Sequence, residues 1–238
     1  IQVSVLAGKT FLEVIRSVLR NRYDLVIKCA EDPGWIDRLF GSDDMHLLRK
    51  CPCPLWLMKA TEKSNYECIV AAVDFDPAAS GTADRDLNRL ILELSSALAL
   101  SDFVTLHLVH AWDLPEAGFA RMWSDDPEAA ETRLLESERL RREAGMARLE
   151  ATLRRHVGAD AYDYLSPQVH LRRGSATREI PALVKQLNAD LVVMGTVARS
   201  GISGVFIGNT AESILDQLNC SVLAVKPAHF ESPIKLAD

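Results

Sequence analysis

VHLRRGSATREIPALVKQLNADLVVM, residues 169–194, lies over VSVLAGKTFLEVIRSVLRNRYDLVIK, residues 3–28, without a gap. Identities fall at Val3/Val169, Gly8/Gly174, Glu13/Glu179, Val18/Val184 and through Asp24-Leu25-Val26/Asp190-Leu191-Val192. One extra residue in the later loop restores register. GSDDMHLLRKCPCPLWLMK (41–59) then matches GNTAESILDQLNCSVLAVK (208–226) at Gly41/Gly208, Leu48/Leu215, Cys53/Cys220 and Lys59/Lys226. Amphipathic patterning alone would not hold register through a glycine, an acid and a strand, so one plan occurs twice.

The shared plan reads strand, helix, strand, glycine loop, helix, strand. In the later copy Ile180, Leu183, Val184 and Leu187 make one helical face, with a start near Ser175 or Thr177 that would place Pro181 close to the first turn. DLVVMG is a β-branched run suited to a buried parallel strand, and SVLAVK is the last strand, ended by Pro227. Only this copy has further elements in front of it. ECIVAAVDFD (67–76) and FVTLHLVHAW read as strands, Ala83 to Leu100 as an amphipathic helix, and Asp126-Pro127 as the cap and first turn of a long charged helix.

Strands alternating with helices predict an α/β fold, a Rossmann-like doubly wound parallel five-stranded sheet spanning residues 66–228. Residues 1–60 carry only the last three strands of the same plan, an incomplete first copy, and 229–238 form a C-terminal tail. Three strands leave one sheet edge open. The chain also opens at Ile1 inside a strand-like pattern, and both features predict that more of the first copy precedes it.

A net charge of -6 speaks against a general nucleic-acid surface, since clustered lysines and arginines are lacking. The run Arg139, Arg141, Arg142 is interleaved with Glu136, Glu138 and Glu143 and reads as a solvated helix face. Five scattered cysteines imply reduced thiols and a cytoplasmic setting, and no stretch nears the roughly 20 apolar residues of a membrane span. Cys51-Pro52-Cys53-Pro54 lacks a second cysteine pair and reads as structural, with no metal expected. His107 and His110, three apart on a strand, are likewise read as structural.

In an open doubly wound sheet, ligands bind beyond the carboxyl ends of the strands where their order reverses. Val73 and Asp74 end the first strand of the later unit, and the loop GTVARSGISGVFIGNT begins at Gly195 as the fourth ends. Gly195 would let a ligand approach closely, Arg199 would add positive charge, and Gly208 returns the chain to a helix. Asn209 reads as its N-cap with Glu212 in a capping-box variant, and Thr210 follows. Such a helix start offers backbone donors to an anion. The loop has no GxxxxGK[ST] and no lysine, so binding is expected and no catalytic residue is assigned.

AAVD, LHLVHA, GSATREI, DLVVMGTVARSGISGVFIGNTAE and CSVLAVKP, in that order, resemble the universal stress protein domain, and the duplication resembles its tandem-domain, UspE-type members. The nucleotide-binding branch of that family has a glycine, two residues, a glycine, nine residues, a glycine, then Ser or Thr. Here those positions are Gly195, Ala198, Gly208 and Asn209. The resemblance further implies Asp74 as the acid near the nucleotide, Ala111 as the backbone position facing the base and Met194 as pocket wall. It therefore implies ATP, with Mg²⁺, as a regulatory ligand of the later unit of a stress-response protein that is not an enzyme.

The alternative is a nucleotide-free scaffold or carrier whose pocket, with Trp112, Leu114, Phe119, Met122 and Trp123, takes a small apolar ligand or a protein partner. In the earlier copy Cys29 replaces the first glycine, and Glu31, Asp32, Asp43 and Asp44 would repel a triphosphate. Family last strands pair domains, so Leu55–Lys59 should pair with Val222–Lys226 within the chain, antiparallel about a pseudo-twofold axis. A homodimer of whole chains is a further expectation.

Overall fold

The computed structural model describes residues 1–30, 42–59, 65–77, 83–114, 126–197, 207–227 and 230–236. In chain order the elements are α1 (Thr10–Asn21), β1 (Val26–Cys29), α2 (Asp43–Lys50), β2 (Leu55–Met58), β3 (Cys68–Ala72), α3 (Ala83–Asp102) and β4 (Thr105–Trp112). They continue with α4 (Pro127–Val157), α5 (Ala159–Leu165), β5 (Gln168–Arg173), α6 (Ala176–Leu187), β6 (Leu191–Gly195), α7 (Asn209–Leu215) and β7 (Ser221–Val225). The strands form one sheet in the order β1-β2-β7-β6-β3-β4-β5. Neighbours are parallel except at β2 and β7, where Leu55 pairs with Ala224, Trp56 with Leu223 and Leu57 with Val222, antiparallel.

The repeat is visible in the backbone. Gly8 and Gly174, equivalent in the two copies, both hold positive φ, at 139° and 141°, a conformation L side chains rarely adopt. Arg22 and Asn188, again equivalent, both end their helices in the left-handed region. Asp126 caps α4 by accepting from Ala129 N, with Pro127 in the first turn, as the sequence predicts. α5 has no counterpart in that reading.

Three readings need correction. Residues 3–6 are not a strand, and Val3 and Val5 are exposed. Among the described residues their counterpart β5 pairs only with β4, and those of 1–60 supply no equivalent of β4. Pro181 lies in the second turn of α6, beyond the tolerated start. The Thr177 carbonyl that a residue-181 N–H would have bonded accepts from Gln217 Nε2 at 2.9 Å, which offsets the lost bond. Arg142 does not belong to a solvated face: its Nε donates to Glu138 Oε1 at 2.6 Å with both side chains largely buried, while Arg139 pairs with Glu136 and Glu143 outside.

The core has two layers, one per sheet face. On one, Ile15, Leu47 and Leu48 of the first half join Ile180, Leu183, Ile214 and Leu215 of the second over Leu55, Leu57, Val192 and Val222. On the other, Ile91, Leu92, Met146 and Leu153 of α3 and α4 cover Ile69, Ala71, Leu106, Leu108, Val193 and Leu223. Covering the sheet on both faces explains why every residue of β3 and β7 is buried and all but Ser221 are apolar. Arg49 of α2 donates to Glu212 of α7 at 2.8 Å, bridging the halves.

Candidate functional site

Strand order reverses at β3: β4 and β5 step away to one side of it, β6 and β7 to the other. The carboxyl ends of β3 and β6 therefore flank a crevice, with Ala72 beside Met194. A cleft of about 360 Å³ opens there. Val73 and Asp74 after β3, Ala111 of β4, Met194 and Gly195 of β6, and Gly208, Asn209 and Thr210 at the start of α7 all line it. Ala198 and Arg199 lie outside the described residues. So do Phe119, Met122 and Trp123 of the aromatic loop; Trp112 faces a separate cavity with Thr132, Leu135 and Leu171.

The turn after β3 is held from three elements. Asp74 N donates to Asn88 Oδ1 at 3.1 Å and Asn88 Nδ2 donates to Asp74 O at 2.8 Å, so one α3 side chain clamps both backbone groups. Buried His110 of β4 has Nδ1 3.2 Å from Val73 O and 3.9 Å from Asp74 Oδ1. Arg142 of α4 donates to Phe75 O at 2.9 Å and reaches His110 Nε2 at 3.3 Å. A neutral imidazole with its proton on Nδ1 satisfies both contacts, donating to the Val73 carbonyl and accepting from the guanidinium. Phe75 stacks on His110 at 4.1 Å, and α4 comes close enough only because residue 145 is glycine, whose added Cβ would overlap the Phe75 ring. These contacts leave the Asp74 carboxylate 69% exposed at the mouth, a positioned acceptor on an immobilised backbone.

The other wall is the base of the loop after β6. Val197 and Ile207 bridge antiparallel, and Gly208 N donates to Thr196 O at 2.9 Å. Asn209 is not the N-cap. Gly208 holds that position in extended backbone, where it has no side chain to cap with, and Asn209 is the first helical residue. Glu212, assigned to a capping box, instead pairs with Arg49. In the first copy it is Ser42 that caps, its Oγ accepting from Met45 N at 3.2 Å. Gly195 serves packing here: a Cβ added to it would stand 2.8 Å from Leu87 Cδ2.

His107 contributes nothing to the cleft. Its Nδ1 lies 2.9 Å from His170 Nε2 on the neighbouring strand, and burial lowers the pKa of both below the ordinary histidine value, so a neutral pair shares one hydrogen. Among the described residues no three His, Cys, Asp or Glu side chains form a metal-holding group.

Leu87, Asn88 and Ile91 of α3, Ala176 and Ile180 of α6 and Ala211 and Ile214 of α7 also line the cleft and were not picked out by sequence as site residues. Leu87, Ile91 and Ile180 stood out only as apolar helix-face positions, a signal indistinguishable from core. Asn88 could have been noticed as an amide one position after Leu87 in that stripe. Nothing in the sequence says which backbone it clamps.

The expected acids of the first copy are placed differently. Glu31 and Asp32 lie outside the described residues. Asp44, the counterpart of cleft residue Ala211, is buried and accepts from Lys28 Nζ at 2.6 Å, and Lys28 is the counterpart of Met194. Ion-pair filling, more than repulsion, distinguishes this position from the cleft.

Comparison with known proteins agrees with this architecture. Residues 65–226 match the model of the universal stress protein family. The chain is 30% identical over 234 residues to universal stress protein E of Escherichia coli (strain K12), covering 97% of this chain and 69% of that protein. It is 32% identical over 215 residues to the universal stress protein E homolog of Haemophilus influenzae, covering 89% of this chain and 64% of that protein. A crystal structure from Pseudomonas aeruginosa UCBPP-PA14, assigned to the same family, superposes with a TM-score of 0.64 at 28% identity, covering 93% of this chain and 70% of that one. No helix among the described residues is long and apolar enough to cross a membrane. The chain belongs to the universal stress protein family, and the Escherichia coli relative that it matches along 97% of its length is of the E type.

Proposed function

We propose that the second half binds an adenine nucleotide, ATP with Mg²⁺ on its phosphates, as a regulatory ligand in stress response, without efficient turnover. The observation that carries this reading is the cleft at the reversal of strand order, with the exposed Asp74 carboxylate on one wall and the start of α7, with glycine at its N-cap, on the other. Its volume of about 360 Å³ suits a nucleoside, leaving the phosphates toward the loop. Asp74 would accept from ribose hydroxyls, Val73 and Ala111 would border the base, and Gly208, Asn209 and Thr210 would lie along the phosphates. Ala198 and Arg199 complete the proposed set. A second reading, a small apolar ligand, has its own support in the Leu87, Ile91, Ile180, Met194 and Ile214 side chains that line the same cleft.

Titrating the chain with ATP and Mg²⁺ while following thermal unfolding tests both. A nucleotide that binds only the folded state adds about 2.7 kcal/mol at one hundred times Kd and raises Tm accordingly. Asp74→Ala, at an exposed side chain, should weaken binding without lowering the ligand-free Tm. An unmoved Tm at millimolar ATP, with stabilisation by a fatty acid instead, would favour the apolar reading.

A further inference from the structure

Two thiols and one ammonium meet where the first half joins the second. Cys51 follows α2 and Cys53 precedes β2, and their Sγ atoms stand 3.7 Å apart, both buried. Lys226, just past β7, is 3% exposed, and its Nζ has no hydrogen-bond partner among the described residues. It lies 5.1 Å from the centre of the Phe230 ring and acts electrostatically on both thiols. A buried ammonium without a partner is costly, and among the described residues the groups that act on it and can become its counter-ion are these sulfurs.

The repeat supplies an internal control. Lys59, Leu218 and Cys220 hold the positions equivalent to Lys226, Cys51 and Cys53. There Lys59 Nζ reaches outward to Asn219 O at 3.2 Å, and a leucine replaces the first thiol. A dithiol with a buried ammonium exists on one side of the pseudo-twofold axis only.

We propose that Cys51 and Cys53 are a peroxide-responsive dithiol that closes to a disulfide, with Lys226 as the residue that holds the reacting thiolate. Cys51 Sγ attacks one oxygen of a small hydroperoxide, the O–O bond breaks, and the alcohol or water leaves with a proton as Cys51 becomes a sulfenic acid. Cys53 then attacks the Cys51 sulfur, the S–O bond breaks, and the departing hydroxide takes the Cys53 proton as water. Two thiols are oxidised by two electrons and one hydroperoxide is reduced. The order of attack follows from the environment: the hydrogen bond shared with Cys53, helped by Lys226, lowers the Cys51 thiol below the ordinary thiol value, whereas the same contact and burial raise Cys53. Segment 230–236 lies over this corner, with Ser232 Oγ donating to Lys50 O at 2.7 Å and Ile234 packed on the core, so hydrogen peroxide should outpace bulky hydroperoxides.

The test treats the full chain, with exposed Cys29 changed to Ser to prevent cross-linking between molecules, with hydrogen peroxide and maps the thiols by alkylation and mass spectrometry. A loss of two hydrogens on the Cys51–Cys53 peptide, reversed by dithiothreitol and with a rate half-maximal below the ordinary thiol pKa, is expected. Cys53→Ser should stop at a Cys51 sulfenic acid that dimedone traps. Lys226→Met should slow oxidation roughly tenfold at neutral pH and move the rate profile upward, a change that a merely structural lysine would not cause. Cys51 and Cys53 that stay alkylatable after peroxide treatment, or a disulfide joining other cysteines, would overturn the proposal. So would an unchanged rate profile in Lys226→Met; should that variant not fold, the parent chain's peptide map and pH profile decide.

Discussion

Leu191 and Val193 of β6 are fully buried, while their repeat counterparts Leu25 and Ile27 are 37% and 56% exposed. The residues are nearly the same and the environments are opposite. In the second half β6 sits between β3 and β7, with α3 and α4 over one face. In the first half β1 is an outer strand, and the described residues of 1–60 hold no equivalents of β3, α3 or α4. The same contrast governs Asp190 and Asp24. Asp190 Oδ2 accepts from Glu67 N and Cys68 N at 2.8 and 3.1 Å, tying down the start of β3, while Asp24 is exposed. It also governs the cleft, where Met194 and Ala211 leave space that Lys28 and Asp44 fill with an ion pair. A repeated sequence thus encodes a repeated backbone, and burial depends on which neighbours each copy meets.

Substitutions at equivalent positions can break this contrast. Leu191→Ala should cost about 3 kcal/mol in denaturant unfolding, and Leu25→Ala under about 1 kcal/mol, since only the former leaves a cavity. Equal costs would mean that β1 is covered in solution. Lys28→Met removes the cation beside the buried Asp44 and should cost about 3 kcal/mol, whereas Lys28→Met with Asp44→Ala, which copies the second half, should recover most of it. Asp190→Ala should cost about 2 kcal/mol by orphaning two amides, against under about 0.5 kcal/mol for Asp24→Ala.

Smaller effects sharpen it further. Burial lowers Lys226 from 10.5 to about 8, so between those values the unfolded chain binds more protons and stability rises with pH. That contribution is complete above pH 10.5 and is lost as pH falls through about 8. In urea titrations over this window the slope should be on the order of 1 kcal/mol per pH unit, reduced in Lys226→Met and retained in Lys59→Met. Glu212→Ala, which breaks the partly exposed bridge to Arg49, should cost only about 0.5 kcal/mol.

Much of the cleft was legible because strand-to-helix alternation dictates where β3 and β6 end and where the following helix begins: Asp74 and Gly195 stand at those ends and Gly208 at that start. Asn88 and Arg142 were not legible. Each sits on a helix in a pattern that solvent exposure would also produce, and each acts on a turn 14 or 67 residues away. Asn209 was misread because Asn followed by Glu212 satisfies the capping-box pattern equally well when shifted by one residue. Arg49, 163 residues from Glu212, claims that carboxylate instead. The Cys51–Cys53 pair read as structural because spacing alone could not bring Lys226 to it.

By itself the sequence determined the repeat, the order of most helices and strands, the glycines shared by the two copies and the family to which these add up. These are local or periodic properties, written in the spacing of apolar residues and in backbone conformations that few residues tolerate. Tertiary structure decided which copy keeps an open cleft, which equivalent leucine is buried, which carbonyl replaces a lost helical bond and which lysine loses its water. Those outcomes depend on groups far apart in the chain, and desolvation acts on a side chain only when its neighbours have arrived.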